Sequence, residues 1–446
     1  MRKIKRTAAL VLSVIIIAGM FAACSDNGNV TTPPAANSNT PPTSNTMSAN
    51  GEENGSESGA RAYDPEEAVA PYLNNLPEMT EADRNRVVQL GFRDCDHMVA
   101  AIIGQDTGLY VALGLNVEIT KTDQVSAALA SGHFDAAYEG TGAVNAFNNG
   151  AEFITLVGSH LGGARYFVVR DQIESLDQIE SLTVTDRSMV NPEWLRFSSE
   201  LGINSDYSAY EGASMAQADS MVALRARQID GIFVCDPYAS IAELDGFGKI
   251  INVAWGSLSE ELGIGWGLCC TVYFNQEFVD SHPALAARMV LAHVLATQYM
   301  YLHPYSAGLM FAETFGTTPD VGLRTMYLKT NAEGRTMNWE ITPQNWRNRD
   351  RYNEHWGIPE EERVMVRRGE IEDFFDLSIL ESLGLGSFDD FLVNSGVSET
   401  FPEGMSYPDW LHMAEIIDGI DHSSMVGKTV DKWMNNEVIT VLPLNS

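Results

Sequence analysis

Basic side chains are scarce in this chain of 446 residues: 28 Lys and Arg stand against 60 Asp and Glu, a formal net charge of −32. A surface of that sign repels phosphate backbones. It excludes nucleic acid as a partner and gives the folded part no electrostatic hold on anionic lipid. Cysteine is scarcer still. The five present, Cys24, Cys95, Cys235, Cys269 and Cys270, are too few and too irregular for a disulfide framework. The sharp catalytic signatures are missing as well: there is no G-x-S-x-G, no H-E-x-x-H and no G-x-x-x-x-G-K-[ST]. Gly263-Ile264-Gly265-Trp266-Gly267 lacks the spacing of a dinucleotide loop, and no cofactor is expected. After the first two dozen residues, no run reaches the ~18 consecutive apolar residues of a spanning helix. Apolar residues are nonetheless plentiful, at 45%, enough for a real core, and the length suggests two or three domains.

The N-terminus addresses the compartment. Residues 2–6 (RKIKR) are basic and residues 7–22 (TAALVLSVIIIAGMFA) are apolar. That run is shorter than the ~20 residues a bilayer span takes, so it reads as a signal peptide. Phe21-Ala22-Ala23-Cys24 resembles a bacterial lipobox, which implies cleavage before Cys24 and lipid on the new N-terminal cysteine. The alternative is an ordinary signal peptide with an incidental cysteine. Residues 25–60 are Ser, Asn, Thr, Pro, Gly and Glu with almost no large apolar side chain. Such a segment cannot bury enough surface to offset its chain entropy, so it is expected to be a disordered tether.

From residue 87 short apolar runs alternate with helical stretches. Strands are expected at 87–92, 116–120, 135–138 and 153–157, with helices at 97–113, 123–131 and 142–148. A second series follows: strands at 182–185, 208–210 and 231–234, helices at 192–201, 214–225 and 237–244. Alternation of this kind implies a mainly parallel sheet with helices on both faces. The series echo each other. Ala128-Leu129 leads through Phe134-Asp135 into a strand, and Ala223-Leu224 leads through Ile229-Asp230 into another, 95 residues later. Two related lobes explain this. The extended segments 166–169 and 269–274 are expected to cross between them and form a hinge, followed by a long helix at 283–302. The expected divisions are a leader (1–23), a tether (24–62), lobe 1 (63–169), lobe 2 (170–268), a return crossover with helices on lobe 1 (269–337) and a C-terminal helical extension (338–446).

Four segments carry a family resemblance: DTGLYVALGLNV (106–117), DAAYEGTGAVNAFNNG (135–150), DGIFVCDPY (230–238) and VYFNQEFVDSHP (272–283). Over about residues 87–330 the chain resembles the nitrate/sulfonate/taurine and thiamine-precursor solute-binding proteins of ABC importers. The resemblance implies an α/β fold of the two-lobed, periplasmic-binding-protein-like type II. It also implies ligand capture in an interlobal cleft, a monomer, and delivery to a membrane permease with its ATPase. The long tether, the C-terminal extension and Cys235, where many relatives have a large residue, depart from the family.

Ligands of open α/β sheets bind beyond the carboxyl ends of strands. That rule nominates Arg93, Asp94, Asp96 and His97; Glu139, Gly140, Thr141 and Gly142; Ser159, His160 and Arg165; Arg187, Ser188 and Asn191; and Asp236, Tyr238 and Trp266. The 140–142 loop stands out, because its glycines let backbone approach a ligand. Several have structural readings beside the functional one. Asp96 and Asp236 suit helix N-caps, His97 and His160 suit satisfied core histidines, and Trp266 suits the core. The nominated carboxylates outnumber the arginines, which favours a neutral or cationic solute such as an amine or aminopyrimidine. Three further readings stay open: an enzyme on the same fold related to pyrimidine synthesis, a surface adhesin or sensor, and a metal-capturing protein using Asp94, Asp96, His97, His160, Cys95 and Cys235. Cys269-Cys270 is expected to be buried in its strand.

Overall fold

A computed structural model describes residues 63–140, 142–185, 191–254, 263–425, 427 and 430–444. The leader, Cys24, the tether, Thr141, Arg187 and Ser188 lie outside the described residues. Nine strands are described: β1 (Val87–Phe92), β2 (Asn116–Lys121), β3 (Ala136–Glu139), β4 (Phe153–Leu161), β5 (Tyr166–Arg170), β6 (Leu182–Thr183), β7 (Gly231–Val234), β8 (Gly248–Val253) and β9 (Leu268–Asn275). They form two sheets, ordered β2-β1-β3-β9-β4 and β6-β7-β5-β8. Pairing is parallel between β1 and β2, β1 and β3, and β6 and β7. Every antiparallel pair involves β5 or β9. The βα units therefore build parallel sheet, and the strands next to the two crossings are inserted against them.

The repeated Asp has a physical role in both sheets. Asp135 accepts from Gln89 N at 2.9 Å and ion-pairs with Arg86, tying the start of β3 to the start of β1. Asp230 accepts from Ser181 N at 2.9 Å and from Arg170 Nε at 2.6 Å, tying β7 to the segment before β6 and to β5. Gly91 in β1 is required by packing, because a Cβ there would overlap the Phe134 ring.

Several local expectations need correction. The helix expected over 97–113 is two, Ala100–Asp106 and Leu109–Ala112, broken where Gly108 adopts φ +81°. The strand expected at 208–210 is a 3-10 turn, Tyr207–Ala209, whose start is capped by Asp206. Segments 166–169 and 269–274 do not cross between lobes. Each lies inside one sheet, as β5 and β9; the chain passes between the sheets at residues 162–165, and the described ends of the return crossing are residues 254 and 263–267. The two crossings hydrogen-bond to each other, Gly162 N to Gly267 O at 2.9 Å and Ala254 N to Arg165 O at 2.8 Å.

The Pro283–Leu302 helix is buried on almost every face, which explains why it is apolar all round. Among the described residues no helix is long and apolar enough to cross a membrane. The C-terminal segment is helical and packs on the body through Trp339, Trp346, Trp410 and Trp433. Arg324 fastens it: its guanidinium carbon lies 5.1–5.4 Å from the ring centroids of Tyr327, Tyr407 and Trp433. Further on, Thr440 N donates to Ile250 O on β8 at 2.7 Å, and Leu176 N donates to Pro443 O at 2.9 Å. The tail thus also touches the second sheet.

Candidate functional site

The strand ends of both sheets meet at a cavity of about 310 Å³. From the first sheet come Arg93, Cys95 and His97 after β1, Gly140 after β3, and Cys269 and Cys270 at the start of β9. From the second come Val184 and Thr185 after β6, Phe233 and Cys235 at the end of β7, and Asn191, Pro192 and Glu193 at a helix start. Arg165 lies in the crossing between them. The C-terminal segment supplies an outer wall, with Arg349, Asn353, Glu362 and Arg363. A larger groove of about 540 Å³, lined by residues such as Tyr63, Tyr72, Tyr299 and Ile417, shares no residue with this cleft.

Of the nominated residues, Arg93, His97, Gly140, Arg165 and Asn191 line the cleft. Asn191 also caps the Pro192–Leu201 helix, its side chain accepting from Trp194 N at 3.2 Å. Arg165 donates to Gln217 Oε1, which also accepts from Cys235 N. Arg93 ion-pairs with Glu139 at 3.3 Å, and Glu139 accepts from Gly140 N and Ser126 Oγ. The Nε atoms of Arg93 and Arg349 are buried and have no protein partner among the described residues. They are donors that the protein itself leaves unsatisfied.

The other nominees stand elsewhere. Asp94 pairs with Lys121 at 3.0 Å and accepts from Tyr238 OH at 3.5 Å. Gly142 is exposed at a helix start. Ser159 is buried and donates to His97 O. Trp266 packs on Gly334 and the second core cluster and is not among the residues that line the cleft. Asp236 is buried, accepts from Ser240 N and Oγ at 2.9 Å, and is pushed up to about 7 by burial and then by Asp96. Asp96 is no helix cap. It is wholly buried, 2.9 Å from Lys329 Nζ and 2.9 Å from His97 Nδ1.

A charged layer therefore lies behind the cleft. Lys329, in the one-turn π-helix Leu328–Ala332, sits between Asp96 and Glu333, 2.7 Å from the latter. Burial opposes its charge, but the two carboxylates outweigh burial and hold the ammonium well above its ordinary value. Burial likewise opposes the Asp96 charge, yet Lys329 and His97 hold that carboxyl below its ordinary value. Glu333 also reaches Thr336 Oγ1 and the His160 ring. His160 stacks on His97 with centroids 4.5 Å apart and planes within 7°. Burial would lower His160, but Cys269 and Glu333 push it up to about 9.

All four cysteines of the described residues are free and line this one cleft. Burial pushes the Cys95 and Cys270 thiols up. Cys235 is held down by Cys95 and, against burial, by Arg165. Cys269 is held down by Cys270 and, against burial, by His97 and His160. The sequence reading missed Cys269 and Cys270 as cleft residues, and Arg349, Asn353, Glu362 and Arg363 altogether. β9 runs antiparallel to β3 and β4, so its first residues, not its last, lie at the ligand end of the sheet.

A comparison with curated proteins finds no match. Solved structures with the same fold include the ligand-binding component of an ABC-type import system from Staphylococcus aureus with zinc bound (16% identity, 67% of this chain, 98% of that one, TM-score 0.52). Others are the alkanesulfonate-binding protein SsuA from Xanthomonas axonopodis pv. citri bound to MOPS (14%, 65%, 98%, 0.50) and the nitrate-binding protein NrtA from Synechocystis PCC 6803 (13%, 68%, 90%, 0.51). The fold is that of the periplasmic binding proteins. The NMT1-like family model matches residues 81–310, over half of the sequence and across both sheets; the chain belongs to the NMT1-like family.

Proposed function

We propose that this chain is the solute receptor of an ABC importer, a monomer tethered outside the cell membrane by lipid on Cys24, and not an enzyme. The observation that carries the reading is the cleft itself, walled by strand ends of two sheets that are joined by crossings whose described ends hydrogen-bond to each other. Such crossings suit hinge closure over a solute, which a permease and its ATPase would then receive. Lys329 lies behind the wall and not in it, out of reach of a bound substrate, which argues against Schiff-base catalysis. The neighbours bind an organic sulfonate, nitrate or zinc, so the fold alone does not choose a solute.

The lining argues against the amine or aminopyrimidine expected from sequence. Arg93, Arg165, Arg349 and Arg363 face Glu193 and Glu362, and Arg93 is already paired with Glu139. An organic cation lacks the carboxylate excess it would need. The test is small-angle scattering and calorimetry on leaderless, reduced protein with sulfonates, nitrate, pyrimidines and thiophilic metal ions. One class should bind with a stoichiometry of one and shrink the radius of gyration. An unchanged radius across the panel would overturn the receptor reading.

A further inference from the structure

The chain holds few cysteines, yet Cys95, Cys235, Cys269 and Cys270 reach one cavity from three places in the sequence. Neighbouring residues of a strand normally face opposite ways. Here the ladder between β4 and β9 slips: His160 pairs with Cys270 and Leu161 with Leu268, leaving Cys269 as the bulged residue. A bulge re-aims its side chain, and the two sulfurs lie 3.9 Å apart. In a tetrahedral site with Zn–S near 2.3 Å, adjacent thiolates sit about 3.8 Å apart.

His97 completes the set. Its Nε2 is 2.7 Å from Cys270 Sγ and 3.3 Å from Cys95 Sγ. The donor atoms of His97, Cys269 and Cys270 lie within 4.8 Å of one another, and so do those of Cys95, Asp96 and His97. The two groups share His97. Asp96 is engaged by Lys329 and by His97 Nδ1, so its role is to orient the imidazole with Nε2 toward the sulfurs. A carboxylate on the far nitrogen of a ligating histidine is the usual outer support of a metal site. Cys235 lines the same cavity from the second sheet, as do Arg93 and Arg165, which stand ready to offset thiolate charge.

We infer that the solute of this cleft is a thiophilic metal ion of the Zn²⁺ or Cu⁺ class, held by His97, Cys269 and Cys270, with Cys95 moving in from the far side of His97 and Cys235 joining from the second lobe as the cleft closes. The inference rests on the receptor reading and names its ligand. Sulfur and imidazole donors select such ions over Mg²⁺ and Ca²⁺. Each thiol that binds gives its proton to solvent as its S–metal bond forms.

The test is titration of the reduced, leaderless protein with CdCl₂, followed by sulfur-to-cadmium charge-transfer absorption, metal analysis and scattering. One Cd²⁺ per chain should bind, with the charge-transfer band and a smaller radius of gyration. The C269S/C270S variant should lose affinity by more than the 10–100-fold typical of outer-shell changes. C95S tests the same point if the double variant does not fold. C235S should keep the band and lose the contraction. Absence of the band, or unchanged affinity in both C269S/C270S and C95S, would overturn the inference. If a sulfonate or nitrate then contracts the protein, the receptor reading stands without it; if nothing does, both fall.

Discussion

Lys329→Met removes the cation between two buried carboxylates. Lys329, Asp96 and the Glu333 carboxylate have no exposed side-chain surface, and the ammonium lies 2.9 and 2.7 Å from its partners. Methionine nearly preserves the volume, so little of the cost comes from a cavity. What remains is Asp96 without its cation and Glu333 facing only the His160 ring, and breaking a buried pair in this way typically costs about 3–5 kcal/mol. At about 1.4 kcal/mol per decade, the unfolding constant rises roughly 140- to 3700-fold. The pH dependence follows from Asp96. Its folded value is depressed, so the stability it contributes is present above its unfolded value and is lost as pH falls through the folded one. In Lys329→Met the carboxyls left without the cation are raised above their unfolded values, so their cost grows as pH rises from about 4, and the deficit against wild type should be largest near neutrality and shrink toward pH 4. Urea unfolding followed by tryptophan fluorescence at several pH values measures this. The triple variant D96N/K329M/E333Q, which removes all three charges, should recover most of the loss. A single-variant deficit below about 1 kcal/mol, or a triple variant no more stable than the single, would refute the pairing argument.

His293 is buried between Tyr138 OH, which donates to Nδ1 at 2.8 Å, and the Gly158 carbonyl, which accepts from Nε2 at 2.6 Å. Burial pulls it down to about 4. Because the folded value lies below the unfolded ~6.5, the neutral ring's contribution is complete above that pH and lost as pH falls through 4, about 3 kcal/mol in all. Denaturation at pH 4.5, 5.5 and 7 should show this slope in wild type and a shallower one in His293→Leu; equal slopes would contradict it. Gly322→Ala should lower thermal stability by about 1–3 kcal/mol, because the new methyl meets the Gly308 carbonyl oxygen where the Pro304–Thr314 and Pro319–Tyr327 helices cross. An unchanged melting temperature would mean the helices do not approach so closely. Arg349→Ala removes a cleft guanidinium whose Nη1 donates to Leu268 O at 2.7 Å, next to the bulge. Affinity for an anionic solute such as a sulfonate should fall about tenfold, the scale of one charge-assisted hydrogen bond, whereas Cd²⁺ affinity should not fall; unaltered affinity for that anion in calorimetry would place the C-terminal segment outside the binding site.

Much of the fold was legible because its signals are local. Alternating apolar runs marked β1 and β7, and the Asp135 and Asp230 echo marked equivalent joints that both proved to be anchored by arginine and backbone N–H. Gly108 went unread as a helix break, since a helical pattern continues across it while its φ of +81° ends the hydrogen-bond ladder. Asp96 and Asp236 had the same local look, a carboxylate before a helix. Only Asp236 bonds to a helix backbone N–H, whereas Asp96 meets a lysine 233 residues further along.

Composition and short-range periodicity, carried by residues within a few positions of each other, determined the acidic surface, the βα units and the family resemblance. The cleft's chemistry was decided by tertiary structure. Cys95, Cys235 and the Cys269-Cys270 pair meet because β9 returns antiparallel into the first sheet, which puts its beginning beside the ends of β1 and β3. Arg349 and Arg363 arrive because the C-terminal segment folds back over that opening. Convergence of this kind depends on long-range strand pairing and burial, to which a local pattern is blind.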